Sequence, residues 1–155
     1  MASNTTGLAG EFYAMHRLFL EGYEATLTLG NTKGVDILLY NPKNEKQFKV
    51  EVKTSTTKSY EKLFDGEFYG WIMHKKHEDL SDENLVYCFV YIDKDTKESK
   101  IFLVPPNIVA KYVKEQHQKW LDKDREKEVK DTPMRKFRIR TDEDSIYEDN
   151  FKIFE

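Results

Sequence analysis

The sequence predicts an α/β fold, and three patterns along the chain support this class. Apolar residues recur at helical spacing over residues 5–21 and again after Pro105. Two strand-like segments, 35–40 and 48–54, are separated by turn-forming residues, which is typical of a β-hairpin. The continuous apolar run Leu85–Ile92 has the length of a buried strand. Helices and strands therefore share one chain.

The composition favours one domain. With 155 residues, of which 39% are hydrophobic, the chain is long enough to bury a core. We expect a single domain over residues 1–155, with its core at 7–121 and a basic segment and acidic tail at 122–155. No apolar run is long enough to cross a bilayer, the first residues lack the features of a signal peptide, and Cys88 is the sole cysteine. These features predict a cytoplasmic protein without a disulfide.

The charge is unevenly distributed, although its net value is only −3. Residues 108–140 contain eleven Lys and Arg against six Asp and Glu, whereas residues 141–155 contain one Lys against six acids. Such a pair of segments could be a phosphate-binding face and an arm that screens it. Solvated helix surfaces and an ordinary terminus would give the same pattern.

The N-terminal third is predicted to be a helix followed by a strand. Thr5 or Thr6 caps the helix and Gly22 stops it. The predicted apolar face consists of Leu8, Phe12, Met15, Leu18 and Phe19. The strand Tyr23–Leu29 then leads into a turn over residues 30–34.

Later segments give weaker signals. Residues 56–84 are mixed, and we expect a helix near Tyr69–His77, on which His74 and His77 are either a ligand pair or, more commonly, two solvated side chains. After the buried strand, a strand over residues 100–104, a helix from Pro105 to near Arg125 and a short strand within MRKFRIR are predicted. The aromatic residues of the segment 147–154 are expected to dock on the body of the domain.

The hairpin carries a set of residues suited to metal chemistry. Because side chains alternate along a strand, Lys49, Glu51 and Lys53 share one face of the second strand. If the strands pair, Asp36 of the first strand projects from the same face. Mg²⁺ is commonly bound by one or two carboxylates, and a lysine can position water or neutralise charge on a phosphate. The alternative is a surface salt bridge between Glu51 and a neighbouring lysine.

Glu11 lies on the apolar face of the predicted helix, between the rows of Met15 and Leu18. A carboxylate there is costly unless it is paired, protonated or bound to a metal. An edge position, from which the carboxylate reaches solvent, would also explain it. The neighbouring acids of the hairpin favour a functional role.

The order of Glu11, Asp36, Glu51 and Lys53 along the chain resembles the motif of the PD-(D/E)xK nuclease superfamily. The sequence pattern GLAGEF…GVDILLY…FKVEVKTS is similar to that of its Holliday-junction-resolvase-like branch. Glu11 precedes Asp36, and Glu51-Val52-Lys53 follows on the next strand. Val35 stands where the superfamily has the proline of its name. The resemblance covers about residues 7–104. It implies a restriction-endonuclease-like fold, in which a mixed central β-sheet of about four to five strands is flanked by α-helices.

The resemblance also implies an activity. Asp36 and Glu51 would hold Mg²⁺, for which Mn²⁺ could substitute, Lys53 would assist the water or the phosphate, and Glu11 would complete the site. The implied enzyme is a metal-dependent endonuclease that hydrolyses DNA. We expect a homodimer, in which the 147–154 tail covers the partner unless it packs on its own body. The competing interpretation is a catalytically inactive module that binds nucleic acid or protein.

Overall fold

The computed structural model describes residues 3–29, 34–79 and 82–155, so residues 30–33 of the predicted turn lie outside the described part. Short 3₁₀ helices accompany the regular elements at Lys62–Phe64, Lys75–Glu78 and Phe151–Phe154. In chain order the helices and strands are α1 (Ser3–Leu20), β1 (Glu24–Leu27), β2 (Ile37–Asn41), β3 (Lys46–Ser55), β4 (Lys58–Glu61), β5 (Gly66–His74), β6 (Leu85–Ile92), β7 (Ser99–Val104), α2 (Pro106–Leu121) and β8 (Met134–Arg140).

The N-terminal helix forms, but it begins at Ser3, so the predicted cap at Thr5 or Thr6 is wrong, and the helix buries a different face from the one predicted. It stops at Gly22, whose φ of +85° is the left-handed conformation that favours glycine at a helix end. The buried residues are Gly10, Ala14 and Leu18, which fall at i, i+4 and i+8. Small residues allow the helix to approach the sheet closely, so the larger side chains point outward. Three members of the predicted apolar face are exposed, namely Leu8, Phe12 and Phe19.

A mixed five-stranded sheet forms the centre of the molecule, which confirms the predicted fold class. Its strand order is β1-β2-β3-β6-β7, in which β3 and β6 are parallel and every other neighbouring pair is antiparallel. All eight residues of β6 are buried, as expected of a strand covered on both faces.

One face of β3 is apolar and the other carries the charged residues of the hairpin. Val50 and Val52 belong to the apolar cluster beneath α1. Because side chains alternate, Glu51 and Lys53 point to the opposite side of the sheet, where Glu51 lies in register with Tyr87 of β6. The predicted sharing of a face by Glu51 and Lys53 is therefore confirmed.

A second, three-stranded antiparallel sheet of order β4-β5-β8 covers that opposite side. Its inner residues, which include Trp71 and Phe137, pack with Phe89 of β6 in a second apolar cluster. The prediction of a helix near Tyr69–His77 is wrong, because most of this segment is strand β5. The strand is stabilised by pairing with β8, which lies more than sixty residues later in the chain.

The C-terminal segments complete the two layers. Helix α2 packs Val109 and Val113 into the second cluster and ends at Leu121, before the predicted Arg125. The tail docks on the body as expected, since Phe151 and Phe154 are buried and the Asn41 side chain donates to the Phe154 carbonyl at 2.8 Å. None of the helices in the described part is long and apolar enough to span a membrane.

Candidate functional site

Asp36 lies immediately before β2, at the point where this strand meets β3. Its backbone N–H donates to the Val50 carbonyl at 2.9 Å, and its Oδ2 accepts the Val52 N–H at 2.7 Å. The Asp36 carboxylate thus accepts a hydrogen bond from a backbone N–H of β3, as a backbone carbonyl of a neighbouring strand would do. This arrangement fixes the side chain against the backbone of β3, beside Glu51.

Glu51 is an uncommon kind of residue, because it is a carboxylate with only 5% of its surface exposed. Its Oε1 lies 2.9 Å from the Lys53 Nζ and 3.1 Å from the His77 Nε2. The proposed surface salt bridge is therefore present in part: the lysine pairs with Glu51, but the acid is buried. Lys49, the other candidate partner, pairs with Asp82 at 2.7 Å instead.

His77 connects the site to the end of β5. The His74 backbone N–H donates to His77 Nδ1 at 2.9 Å, which leaves Nε2 to donate to Glu51 in the neutral ring. The His74 carbonyl oxygen is 3.0 Å from the same Nδ1, so a protonated ring could donate there instead. Either form directs Nε2 at the Glu51 carboxylate.

The two histidines do not act as the ligand pair that their spacing suggested. His77 is buried in contact with Glu51, whereas the exposed His74 caps the 3₁₀ helix Lys75–Glu78 by accepting the Lys76 N–H. The alternative of two solvated side chains is wrong for His77 as well. Its role was missed because the contact with Glu51 joins residues 26 positions apart and requires β5 to be a strand.

Charge couples the acids of the site. Burial raises the pKa of Asp36, and the negative charge of Glu51 raises it further, against the lowering effects of the Val52 N–H and Lys53. Burial would also raise the pKa of Glu51, but the hydrogen bonds and charges of His77 and Lys53 outweigh it and lower this pKa. Asp36 and Glu51 therefore differ in how well their negative charges are compensated.

Glu11 joins this group from the other layer of the fold. It lies half-buried on α1, one residue after Gly10, which packs directly on the Thr54 side chain of β3. Burial raises the pKa of Glu11, and the negative charge of Asp36 adds to the effect. The helix thus brings a third acid within electrostatic range of Asp36.

The donor atoms suit a hard cation bound by few protein ligands. In the described ranges, no three His, Cys, Asp or Glu side chains form a group that could hold a metal ion, so Glu11, Asp36 and Glu51 are not assembled as a three-acid set. Hydrogen bonds engage Asp36 Oδ2 and Glu51 Oε1, so Asp36 Oδ1 and Glu51 Oε2 are the candidate metal-binding oxygens. Mg²⁺ commonly takes one or two carboxylates and completes its shell with water and phosphate oxygens.

Gly34 provides space beside the Glu51 carboxylate. A Cβ added there would lie 3.5 Å from Glu51 Oε2, and the φ of +74° is one that residues with side chains rarely adopt. A glycine therefore keeps the approach to the unengaged oxygen of Glu51 open on this side.

The cations of residues 108–140 form two groups: the lysines that precede β8 are exposed, whereas Arg135, Lys136 and Arg138 of β8 are engaged within the protein. Arg135 is buried and donates to Glu78 at 2.5 Å, while Lys136 and Arg138 both pair with Glu61 of β4. These cations stabilise the second sheet and its connection to the Lys75–Glu78 turn. The interpretation of solvated surfaces therefore holds for the exposed lysines, whereas the cations of β8 have a structural role that neither sequence interpretation included.

Comparisons with known proteins define the class of fold. No protein-family model matches the sequence, and no curated protein matches it. The structure is a mixed α/β fold of the endonuclease-like kind. Among solved structures it is similar to that of a bacterial homing endonuclease, I-Ssp6803I, with a TM-score of 0.57 and 11% identity over 98% of this chain and 90% of that chain. At this identity the likeness concerns the fold.

Proposed function

We propose that the protein is a Mg²⁺-dependent endonuclease of the PD-(D/E)xK superfamily that hydrolyses phosphodiester bonds in DNA. The observation that carries this proposal is the convergence of Asp36, Glu51 and Lys53 where β2 meets β3. Buried acids are retained at a cost in stability, and they are concentrated where proteins bind ions or perform catalysis.

Each side chain has a role that its position supports. Asp36 Oδ1 and Glu51 Oε2 would hold Mg²⁺, which would supply Lewis-acid polarisation of the phosphate and lower the pKa of a bound water. Lys53 is 28% exposed, so its ammonium can reach a phosphate while it stays 2.9 Å from Glu51. There it would neutralise charge that develops in the transition state. Glu11 would add negative charge beside Asp36.

DNA is the proposed substrate because the fold is similar to that of a bacterial homing endonuclease and the order of the motif residues resembles that of a nuclease superfamily. Replacement of Mg²⁺ by Mn²⁺, a cytoplasmic location and a homodimeric state are further predictions. The tail no longer supports the homodimer, because Phe151 and Phe154 pack on their own chain.

One observation favours the alternative of a binding module without catalysis. Glu51 Oε1 is already paired with both Lys53 and His77, an arrangement that also satisfies a buried acid in an inactive domain. In that case the site would stabilise the fold and no cleavage would occur.

Cleavage of supercoiled plasmid DNA separates the two functions. The wild-type protein should cut in Mg²⁺ or Mn²⁺ and be inactive in EDTA. Lys53→Ala should lower the rate by about 10²–10³-fold, because it removes charge stabilisation in the transition state. Lys49→Ala is the matched control, since Lys49 is exposed on the same face of β3 and pairs with Asp82. Equal cleavage by wild type and Lys53→Ala would exclude the proposed role.

Metal binding is measured independently of cleavage. Calorimetric titration with Mg²⁺ should show binding that is lost in Asp36→Ala, because one of only two proposed carboxylate ligands is removed. Asp82→Ala serves as a control in which the removed acid lies outside the site. Unchanged Mg²⁺ affinity in Asp36→Ala would contradict the ligand assignment.

A further inference from the structure

The outer face of α1 is an apolar stripe formed by Leu8, Phe12 and Phe19. Their exposed fractions are 53%, 61% and 53%. At about 100° per residue these three side chains fall within roughly 40° of one another around the helix axis. Half-buried Met15 extends the stripe between Phe12 and Phe19.

Charge is missing from this face. Every residue of α1 is described, and its exposed positions include no Lys, Arg, Asp or Glu, although such residues make up 34% of the chain. The two charged side chains of the helix are used elsewhere: Glu11 is half-buried beside Asp36, and Arg17 pairs with Asp149 at 2.7 Å. A helix facing only water normally carries charged residues, whereas the centres of protein interfaces are depleted of them.

The spacing of the stripe is self-complementary. Leu8, Phe12, Met15 and Phe19 are separated by four, three and four residues, an order that reads the same in both directions. A second copy of α1 laid antiparallel would therefore place Leu8 opposite Phe19 and Phe12 opposite Met15. This is the property that a two-fold symmetric interface requires, since the same patch must meet itself.

The area agrees with the core of a dimer interface. The exposed parts of Leu8, Phe12, Phe19 and the neighbouring Leu20 amount to roughly 400 Å² of mostly apolar surface. A stable interface buries about 800 Å² per partner. Beside Phe19, a cavity of about 500 Å³ lined in part by Leu38 and Tyr40 continues the patch and can supply further contact area.

We propose that the stripe on α1 is the homodimer interface, in which two copies of the helix pack antiparallel about a two-fold axis between Phe12 and Met15. Association of two folded chains through this stripe does not require catalysis. The dimer contact would then lie on the helix that carries Glu11, rather than on the C-terminal tail.

Sedimentation velocity of the full chain over a range of concentrations tests the interface. The wild type should sediment as a dimer, and Phe12→Glu should raise the dimer dissociation constant by at least about 30-fold, because a charge is placed at the centre of the contact. Ile72→Glu is the matched control, since Ile72 is 63% exposed on β5 and lies on the other sheet. It should leave the dimer intact.

Disulfide trapping tests the antiparallel order. Leu8→Cys mixed with Phe19→Cys should form a cross-linked heterodimer under mild oxidation, whereas each variant alone should cross-link poorly. Cys88 is 1% exposed and does not compete. A monomeric wild type, a dimer that persists in Phe12→Glu, an equal loss in Ile72→Glu, or cross-linking of Leu8→Cys with itself would each overturn the proposal. None of these measurements depends on DNA cleavage.

Discussion

At the residue scale, the buried Glu51 depends on its two partners. Lys53 and His77 both contact Oε1, and their combined effect lowers the pKa of Glu51 although burial alone would raise it. Removal of one partner from a buried acid is costly, because the remaining charge is left with fewer hydrogen bonds. The orientation of the second oxygen, Oε2, depends on the same contacts.

His77 is therefore predicted to position Glu51. In His77→Phe the donor to Oε1 is lost, and we expect Mg²⁺ affinity and plasmid cleavage to fall by about 10–100-fold, the range seen when a group that orients a metal ligand is removed. His77→Gln should recover part of the affinity, since its amide N–H can donate to Glu51.

The control for this prediction is His74→Phe, three residues earlier and exposed. It removes only the cap of a short 3₁₀ helix and should leave Mg²⁺ affinity near the wild-type value. Calorimetric titration of the folded variants provides the measurement. Unaltered Mg²⁺ binding in His77→Phe would show that Glu51 does not need this contact.

At the element scale, the contact between α1 and β3 is set by a glycine. A Cβ added to Gly10 would overlap the Thr54 Oγ1, whereas a Cβ added to Gly7 would meet no atom within 4 Å. The helix can therefore approach the sheet closely at one of these positions, and the distance of Glu11 from Asp36 depends on that approach.

We predict opposite effects of alanine at these two glycines. Gly10→Ala should lower the free energy of unfolding by about 1–3 kcal/mol, because the helix must move or Thr54 must change rotamer. Gly7→Ala should raise it by about 0.5–1 kcal/mol, since alanine favours the helix and space is available. Urea denaturation of both variants measures the difference. A stabilised Gly10→Ala would contradict the close packing.

The ion pairs of Glu61 in the second sheet predict that the stability of the protein depends on pH. Burial would raise the pKa of Glu61, but the hydrogen bonds and charges of Lys136 and Arg138 outweigh it and lower this pKa. An acid whose pKa is lowered by folding stabilises the protein above its ordinary value of 4.5, and this contribution is lost as the pH falls through the folded-state pKa.

Glu61→Gln should thus reduce the free energy of unfolding by about 1–2 kcal/mol at pH 7, because one charge-assisted partner is lost on a partly buried carboxylate. The difference from wild type should shrink as the pH is lowered below 4.5. Glu98→Gln, at an exposed glutamate in the turn before β7, is the control and should change the free energy of unfolding at pH 7 by no more than about 0.5 kcal/mol. A constant difference from pH 7 to pH 3 would exclude the ion pairs as its cause.

At the scale of the whole molecule, the C-terminal tail joins the N-terminal third of the chain. Phe154 is fully buried against Tyr23 and Phe48, with ring centroids 5.4 and 5.2 Å away, and its carbonyl accepts the Asn41 side chain. The last residues therefore complete the apolar cluster beneath α1.

Phe154→Ala should consequently lower the free energy of unfolding by about 3–5 kcal/mol, the usual cost of removing a buried phenylalanine. Ile146→Ala is the control, because Ile146 is 81% exposed although it lies only eight positions earlier. Its effect should stay within about 0.5 kcal/mol. Equal effects in a denaturant titration would mean that the tail is not docked in solution.

The local patterns were sufficient for much of the central sheet. Alternation placed Glu51 and Lys53 on one face of β3, and the apolar run identified β6 with the bounds that the structure shows. These features could be read from the sequence because strand periodicity and strand length are local properties. The helix stop at Gly22 is local for the same reason.

Tertiary structure alone decided the remaining features. Residues 66–74 became strand β5 rather than helix because β8 pairs with them from far along the chain, and this strand places His77 against Glu51. The helix α1 buried Gly10 instead of Leu8 because a close approach to β3 outweighed the burial of larger side chains. The sequence by itself therefore determined the hairpin, its acids and its lysine. Contacts between distant segments determined the side chains and strands that surround this hairpin. Strand pairing and close packing depend on partners that no local pattern identifies.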